Sequence, residues 1–213
     1  MSSPFLLLEN LTFTRKLMVN EYMKRARQIS RRIAPYINKK DKIIDIGTGT
    51  GFVAQSIVEK KKSKITCVDV RLNPLCKTLP VTIYDGKKLP FPDRSFDTAL
   101  LIAVLHHCKH PLKVLDEAIR VSSKRVIIME DLFESKIEKL LTLIEDSIVN
   151  WEFEGHPHSN KSESAWLASF KKKRLNVEHF EKFRLICAGF PFRLGIFILE
   201  KKKTKEKLVP IQE

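Results

Sequence analysis

The sequence predicts an α/β fold: a mostly parallel sheet with helices on both faces, ending in an antiparallel strand pair. Three observations predict it. Apolar, strand-like stretches alternate with helical patterns about five times between residues 43 and 130, the mark of a parallel sheet joined by crossover helices. Three of the seven glycines, Gly47, Gly49 and Gly51, fall directly after the first such stretch, where a turn needs positive φ or a ligand must approach the backbone. Phe183 to Ala188 and Arg193 to Glu200 are separated only by Gly189-Phe190-Pro191-Phe192, so these two strands must be antiparallel neighbours.

Residues 10 to 37 read as a helix, with Leu17, Met18, Tyr22, Ala26, Ile29, Ile33 and Tyr36 recurring at three- and four-residue intervals. Pro35 and Asn38 mark its end. Such a stripe could cap the sheet, cover a ligand or touch a membrane surface, and packing on the domain is its commonest fate. Ile43 to Ile46 is the first strand, and a helix follows from Gly51 to Glu59. Lys64 to Val70 is a second strand, Pro74 to Leu79 a short helix or turn, and Val81 to Tyr84 a third strand. Phe96 to Val104 is the fourth strand, Leu112 to Val121 a helix, and Arg125 to Glu130 the fifth strand. Lys136 to Trp151 reads as a helix, Glu154 to Lys161 as a polar loop, and Ser164 to Phe170 as a short helix. With the final pair the sheet has seven strands. The pattern divides into an N-terminal helical cap (1–38), one sheet domain (39–204) and a basic tail (205–213), without internal repeats.

A chain of 213 residues with 43% hydrophobic residues suffices for one domain with a real core. No apolar run approaches the roughly 20 residues that span a bilayer. The patch Phe5 to Leu8 lacks a preceding basic region and a small-residue cleavage site, so a cytoplasmic location is expected. Cys67, Cys76, Cys108 and Cys187 are scattered, without a CxxC pair, and read as reduced thiols packed in the interior. The 39 basic and 25 acidic residues leave a net charge of +14, concentrated in Lys60-Lys61-Lys62, Lys171-Lys172-Lys173-Arg174 and Lys201-Lys202-Lys203. Such clusters could attract RNA or an anionic membrane, or simply decorate solvated faces; they lack interleaved aromatics.

The glycine loop is GxGxG with an acid, Asp45, two residues before it. The dinucleotide fingerprint GxGxxG would place its third glycine at residue 52, which is Phe. Asp69 closes the second strand, where a carboxylate can accept ribose hydroxyls. Tyr84-Asp85-Gly86 follows the third strand, then Leu89-Pro90-Phe91-Pro92-Asp93-Arg94-Ser95-Phe96-Asp97, Ala103-Val104-Leu105-His106-His107, and Arg120-Val121. This series, over residues 40 to 130, resembles the class I S-adenosylmethionine (SAM)-dependent methyltransferases, and among them the ubiquinone/menaquinone-biosynthesis C-methyltransferase (methyltransferase type 11) group. The resemblance implies a Rossmann-like methyltransferase fold and a SAM site made of Asp45, Gly47, Thr48, Gly49, Gly51, Asp69, Val70, Asp85, Gly86 and Ala103. Asp45 would fix the amino acid end of SAM and the glycines would let the backbone approach it. Asp69 would bind the ribose, Asp85 the adenine amino group beside Gly86, and Ala103 would line the methionine part. Asp85 also reads as a turn residue, and Asp97 as a strand-entry cap. The sequence departs from the family before the fifth strand, where Val121-Ser122-Ser123-Lys124-Arg125 replaces a glycine-containing turn. Residues 131 to 213 carry no recognisable substrate signature.

Methyl transfer from a sulfonium is an in-line displacement, helped mainly by alignment and by a dry site. A base is needed only where the nucleophile holds its proton tightly, so the resemblance fixes no universal catalytic residue. His106 and His107, at the end of the fourth strand, and His156, in the late polar loop with His158, are the candidate proton acceptors. His156 and His158 share one side of an extended loop, but no third ligand for a metal is evident. Trp151, Trp166 and Phe170 could wall an organic substrate or pack the core. The expected function is methyl transfer from SAM to a small or lipid-like acceptor. An RNA methyltransferase is the second reading, without an Asn/Asp-Pro-Pro-Tyr/Phe motif or an RNA-binding module to support it. A SAM-binding protein without catalysis is the third.

Overall fold

The computed structural model describes residues 12–135, 138, 140, 159–187 and 190–200. In chain order its elements are α1 (Thr12–Ile33) with a 3-10 turn (Ala34–Tyr36), β1 (Lys42–Ile46), α2 (Phe52–Lys61), β2 (Lys64–Asp69), β3 (Val81–Ile83) and β4 (Phe96–Ile102). A second 3-10 turn (Leu105–His107) precedes α3 (Pro111–Val121), β5 (Ser122–Asp131), α4 (Glu163–Lys172), β6 (Asn176–Cys187) and β7 (Phe190–Glu200). The strands form one seven-stranded sheet in the order β3-β2-β1-β4-β5-β7-β6. The first five are mutually parallel, and β7 runs antiparallel between β5 and β6. The strand order reverses between β1 and β4, so their C-terminal ends open on a ligand crevice.

Both faces of the sheet are covered, which explains why the strands read as continuous apolar runs. Alternate residues go to opposite sides. Ile44, Val68, Ala99, Leu101, Val126 and Ile128 join Leu115 and Ala118 of α3 and Trp166 and Phe170 of α4. Ile43, Leu100, Ile127, Met129, Ile196 and Ile198 meet Ile29 and Ile33 of α1 and Ile57 of α2. The stripe on α1 therefore packs on the domain, although Leu17 near its start is 49% exposed. The Arg32 guanidinium lies 4.3 Å over the Phe183 ring and pairs with Glu181, tying α1 to β6.

Several boundaries differ from expectation. β4 stops at Ile102 rather than Val104, because Ala103 takes a φ of +53° and ends the extended run. His106 and His107 consequently sit on the 3-10 turn, not on the strand. β2 ends at Asp69, and Val70 is exposed. Of the two readings open for residues 74 to 79, helix or turn, the structure has the turn, with the Asn73 side chain accepting from the Leu75 amide. The expected serine turn before the fifth strand is absent: α3 passes directly into β5 at Ser122, and the extra residue is absorbed as an irregularity against β4 between Phe96 and Thr98. β6 begins at Asn176, seven residues before the expected Phe183. As the sheet edge it carries Glu178, Glu181 and Lys182 between its apolar residues, which hid it from a search for apolar runs. The expected helix 136–151 lies almost wholly outside the described residues, as do residues 1–11 and the tail 205–213. No described helix is long and apolar enough to cross a membrane.

Candidate functional site

β1 delivers its chain into the glycine loop at the sheet's switch point. Gly47 and Thr48 donate their amides to Val68 O at 2.9 and 3.2 Å, pinning the loop to β2. Gly47, Gly49 and Gly51 all have positive φ, at +73°, +52° and +75°. Their surroundings differ. A Cβ on Gly47 would lie 2.1 Å from Val104 Cγ2, and one on Gly51 would lie 2.6 Å from Cys76 Sγ, whereas one on Gly49 would meet nothing within 4 Å. Gly47 and Gly51 therefore allow the protein to close on itself, and Gly49 leaves open space over the loop.

Two carboxylates bond to that loop. Asp69 accepts the Gly49 amide on Oδ2 at 2.8 Å and the Val70 amide on Oδ1 at 2.7 Å. Oδ1 also accepts the Arg71 amide at 3.4 Å, so the carboxylate is held against the loop with a lone pair left on Oδ2 for a hydroxyl donor. Asp45 is buried at 3% exposure and accepts from Thr48 Oγ1 at 2.6 Å. Burial pushes its pKa up from 3.8 to about 6; the Thr48 hydrogen bond opposes the rise and the nearby Asp69 charge adds to it. Asp85 is exposed, and its Oδ1 accepts the Lys87 and Lys88 amides at 2.8 and 3.2 Å. These bonds hold its pKa below the usual carboxylate value and give it the turn role that the sequence left open. Gly86, at φ +73°, approaches Val70, whose Cγ1 would lie 3.1 Å from an added Cβ.

The far wall is the strap from Ala103 to Cys108. Ala103 donates its amide to Met129 O at 2.7 Å. Glu130, buried at the end of β5, accepts the Val104 and Leu105 amides on Oε1 at 3.2 and 2.8 Å. Its Oε2 lies 2.6 Å from His106 Nδ1. With Oε1 already accepting two amides, the carboxylate acts as acceptor and Nδ1 is assigned the proton. His106 is 1% exposed, and its Nε2 lies 3.8 Å from Asp131 Oδ2. His107 is half-buried, its ring centroid 4.1 Å from that of His106. Ser159 closes over the same turn: its amide donates to His106 O at 3.1 Å, and its Oγ lies 3.0 to 3.3 Å from the carbonyls of Leu105, His106 and Cys108.

The structure thus gathers Asp45, Gly47, Thr48, Gly49, Gly51, Asp69, Val70 and Ala103 at one end of β1, β2 and β4, with Asp85 and Gly86 beyond β3. His106 and His107 stand on the adjoining strap, whereas His156 and His158 lie outside the described residues. Trp166 and Phe170 are fully buried and stacked at 5.7 Å in the core, so core packing is what they do; Trp151 lies outside the described residues. Cys67, Cys76 and Cys108 are free thiols. Among the described residues no cluster of His, Cys, Asp or Glu side chains could hold a metal ion. Asp97 accepts the Lys42 amide and pairs with Lys124, pinning the starts of β1 and β4. Arg120 donates to Leu89 O and Phe91 O and pairs with Glu117 and Asp93, which fixes the proline-rich loop before β4. Glu130 and Ser159 were missed in the sequence. An acid ending the apolar run Val126 to Met129 was the available signal for Glu130; nothing in the polar loop singled out Ser159.

The residues fit SAM on structural grounds. Gly49 leaves room where a Cβ would stand, the Asp69 carboxylate is held at the Gly49 amide beside that room, and the buried Asp45 has the chemistry to pair with an ammonium. Comparison with known proteins agrees. Residues 44–129 match the family described as a methyltransferase domain. A ubiquinone/menaquinone biosynthesis C-methyltransferase of Neisseria meningitidis is 29% identical over 98 residues, which is 40% of this chain and 40% of that relative. The match spans well under half the length of such curated relatives. Among solved structures, a SAM-dependent methyltransferase from Methanosarcina mazei superposes with a TM-score of 0.60 at 18% identity, covering 79% of this chain and 96% of the other. One from Aquifex aeolicus gives 0.55 at 18% identity, covering 80% and 88%. The cyclase SpnF gives 0.63 at 14% identity, covering 82% and 80%. At these identities the structural matches speak for the fold alone, and SpnF is a reminder that one fold serves several chemistries.

Proposed function

We propose that this chain is a class I SAM-dependent methyltransferase that transfers the methyl group of SAM to a small or lipid-like organic acceptor. The observation that carries the reading is the Asp69 carboxylate held by the Gly49 amide beside the open space over Gly49 at the switch point. There the carboxylate would accept the ribose hydroxyls, and Asp45, once ionised, would hold the ammonium of the methionine part. Val70 and Gly86 would flank the adenine, Asp85 would receive its amino group, and Ala103 would line the methionine chain.

SAM when bound supplies a sulfonium methyl, and the chain's own residues bind, orient and exclude water. We assign Glu130 and His106 to shaping the strap beside that methyl. His107, more exposed on the same turn, is the proposed proton acceptor where the nucleophile is a hydroxyl or an activated carbon; His156 is kept as a further candidate. The lipid-like character of the acceptor rests on the C-methyltransferase relatives alone. The test is label transfer from methyl-tritiated SAM to a total small-molecule and lipid extract, with the product identified by mass spectrometry. A labelled organic product lost in Asp69→Ala supports the reading. Label in RNA only, or no label despite SAM binding, refutes it.

A further inference from the structure

Ser159 fastens the chain to the carbonyls of the His106 turn, and the next residue is anomalous. Asn160 is 6% exposed, yet neither Oδ1 nor Nδ2 has a hydrogen-bond partner. Buried carboxamides in folded proteins almost always bond through both atoms, so a doubly orphaned one needs an explanation. The Trp166 indole N–H, on the same segment and fully buried, is likewise without a partner. The backbone is held on both sides, Ser159 by its amide hydrogen bond to His106 O and Ser162 as the cap of α4.

We infer that Asn160 is a specificity-determining residue for the methyl acceptor, recognising a neutral group that both donates and accepts, such as a hydroxyl beside a carbonyl. This rests on the proposed methyltransferase reading. The strap that Ser159 clasps is the one that begins at Ala103 beside the glycine loop, which puts Asn160 one residue from the wall of the proposed site. A carboxamide offers one donor edge and one acceptor edge and no charge, and it discriminates against acceptors lacking a matching polar group. An unmet buried carboxamide also penalises a purely hydrocarbon ligand, which would bury it still deeper without bonding it.

The test compares wild-type protein with Asn160→Leu and Asn160→Asp in three measurements. Calorimetry with S-adenosylhomocysteine, the demethylated product, reports the cofactor site. Thermal melting reports whether the carboxamide is already bonded within the fold. Label transfer from tritiated SAM to a dilution series of the total extract reports acceptor recognition. Asn160→Leu is expected to bind S-adenosylhomocysteine as wild type does and to melt no lower. Its transfer should fall about tenfold or more at dilute extract, recovering partly as extract is raised. Asn160→Asp should fall between the two. A melting temperature several degrees lower, or transfer equal to wild type with the cofactor still bound, overturns the inference. Cofactor binding without transfer by wild type overturns the function reading along with it, whereas loss of transfer confined to the variants leaves that reading standing.

Discussion

Gly47 and Gly49 have the same handedness and opposite surroundings, which separates the folding role of the loop from its proposed binding role. Alanine at either position is held in the left-handed region, at about 1–2 kcal/mol. At Gly47 the new methyl would also stand 2.1 Å from Val104 Cγ2 and 2.9 Å from Val104 Cβ, so a rotamer change alone cannot clear it. Overpacking of this kind adds about 1–3 kcal/mol. At Gly49 the methyl meets nothing within 4 Å, and no such cost arises. For a domain of this size each kcal/mol moves the melting temperature by roughly 2–4 °C. Gly47→Ala should therefore melt roughly 2–12 °C below Gly49→Ala. Binding of S-adenosylhomocysteine should show a different pattern. Gly49→Ala, though well folded, should lose at least about tenfold in affinity, because its methyl occupies the space assigned to the cofactor. Scanning fluorimetry and titration calorimetry on the two proteins suffice. Equal melting temperatures, or a Gly49→Ala protein that binds like wild type, would refute the reasoning.

Three further outcomes follow from named side chains. Asp45 has a folded pKa of about 6 against an ordinary 3.8, so the folded state keeps a proton that the unfolded chain releases. Its contribution to stability is full below pH 4, declines as pH rises through 6, and amounts to about 3 kcal/mol lost by neutral pH. Asp45→Asn should accordingly melt higher than wild type at pH 7.5 and alike at pH 4, and wild-type SAM affinity should weaken below pH 6 as Asp45 protonates. Glu130→Gln replaces an acceptor of two amides and one imidazole, and should lower stability by about 1–3 kcal/mol in chemical denaturation, with the loss in His106→Phe overlapping rather than adding. Arg120→Lys cannot span Leu89 O, Phe91 O, Asp93 and Glu117 together, so hydrogen exchange should quicken in residues 89 to 95 while the sheet stays protected.

The parallel half of the fold was legible because burial on both faces leaves β1, β2, β4 and β5 as apolar runs, and because glycine spacing marks a turn that few other residues can make. The glycine loop was legible for the same reason. The first half of β6, before Phe183, was not, since a charged edge strand resembles a polar linker. The place of the histidines was missed for a local cause: the break after Ile102 is made by an alanine at φ +53°, a conformation that composition does not announce. Glu130 and Ser159 act through long-range bonds, across 25 and 54 residues to Leu105, and such pairings exist only once the sheet is formed.

The most direct measurement is calorimetric titration of the full chain with S-adenosylhomocysteine, beside Asp69→Ala. One saturable site in the wild type and none in the variant is the expected result. A folded wild-type protein that takes up no heat at millimolar ligand, or a variant that binds equally well, would contradict the assignment of the β1–β2 crevice to that cofactor.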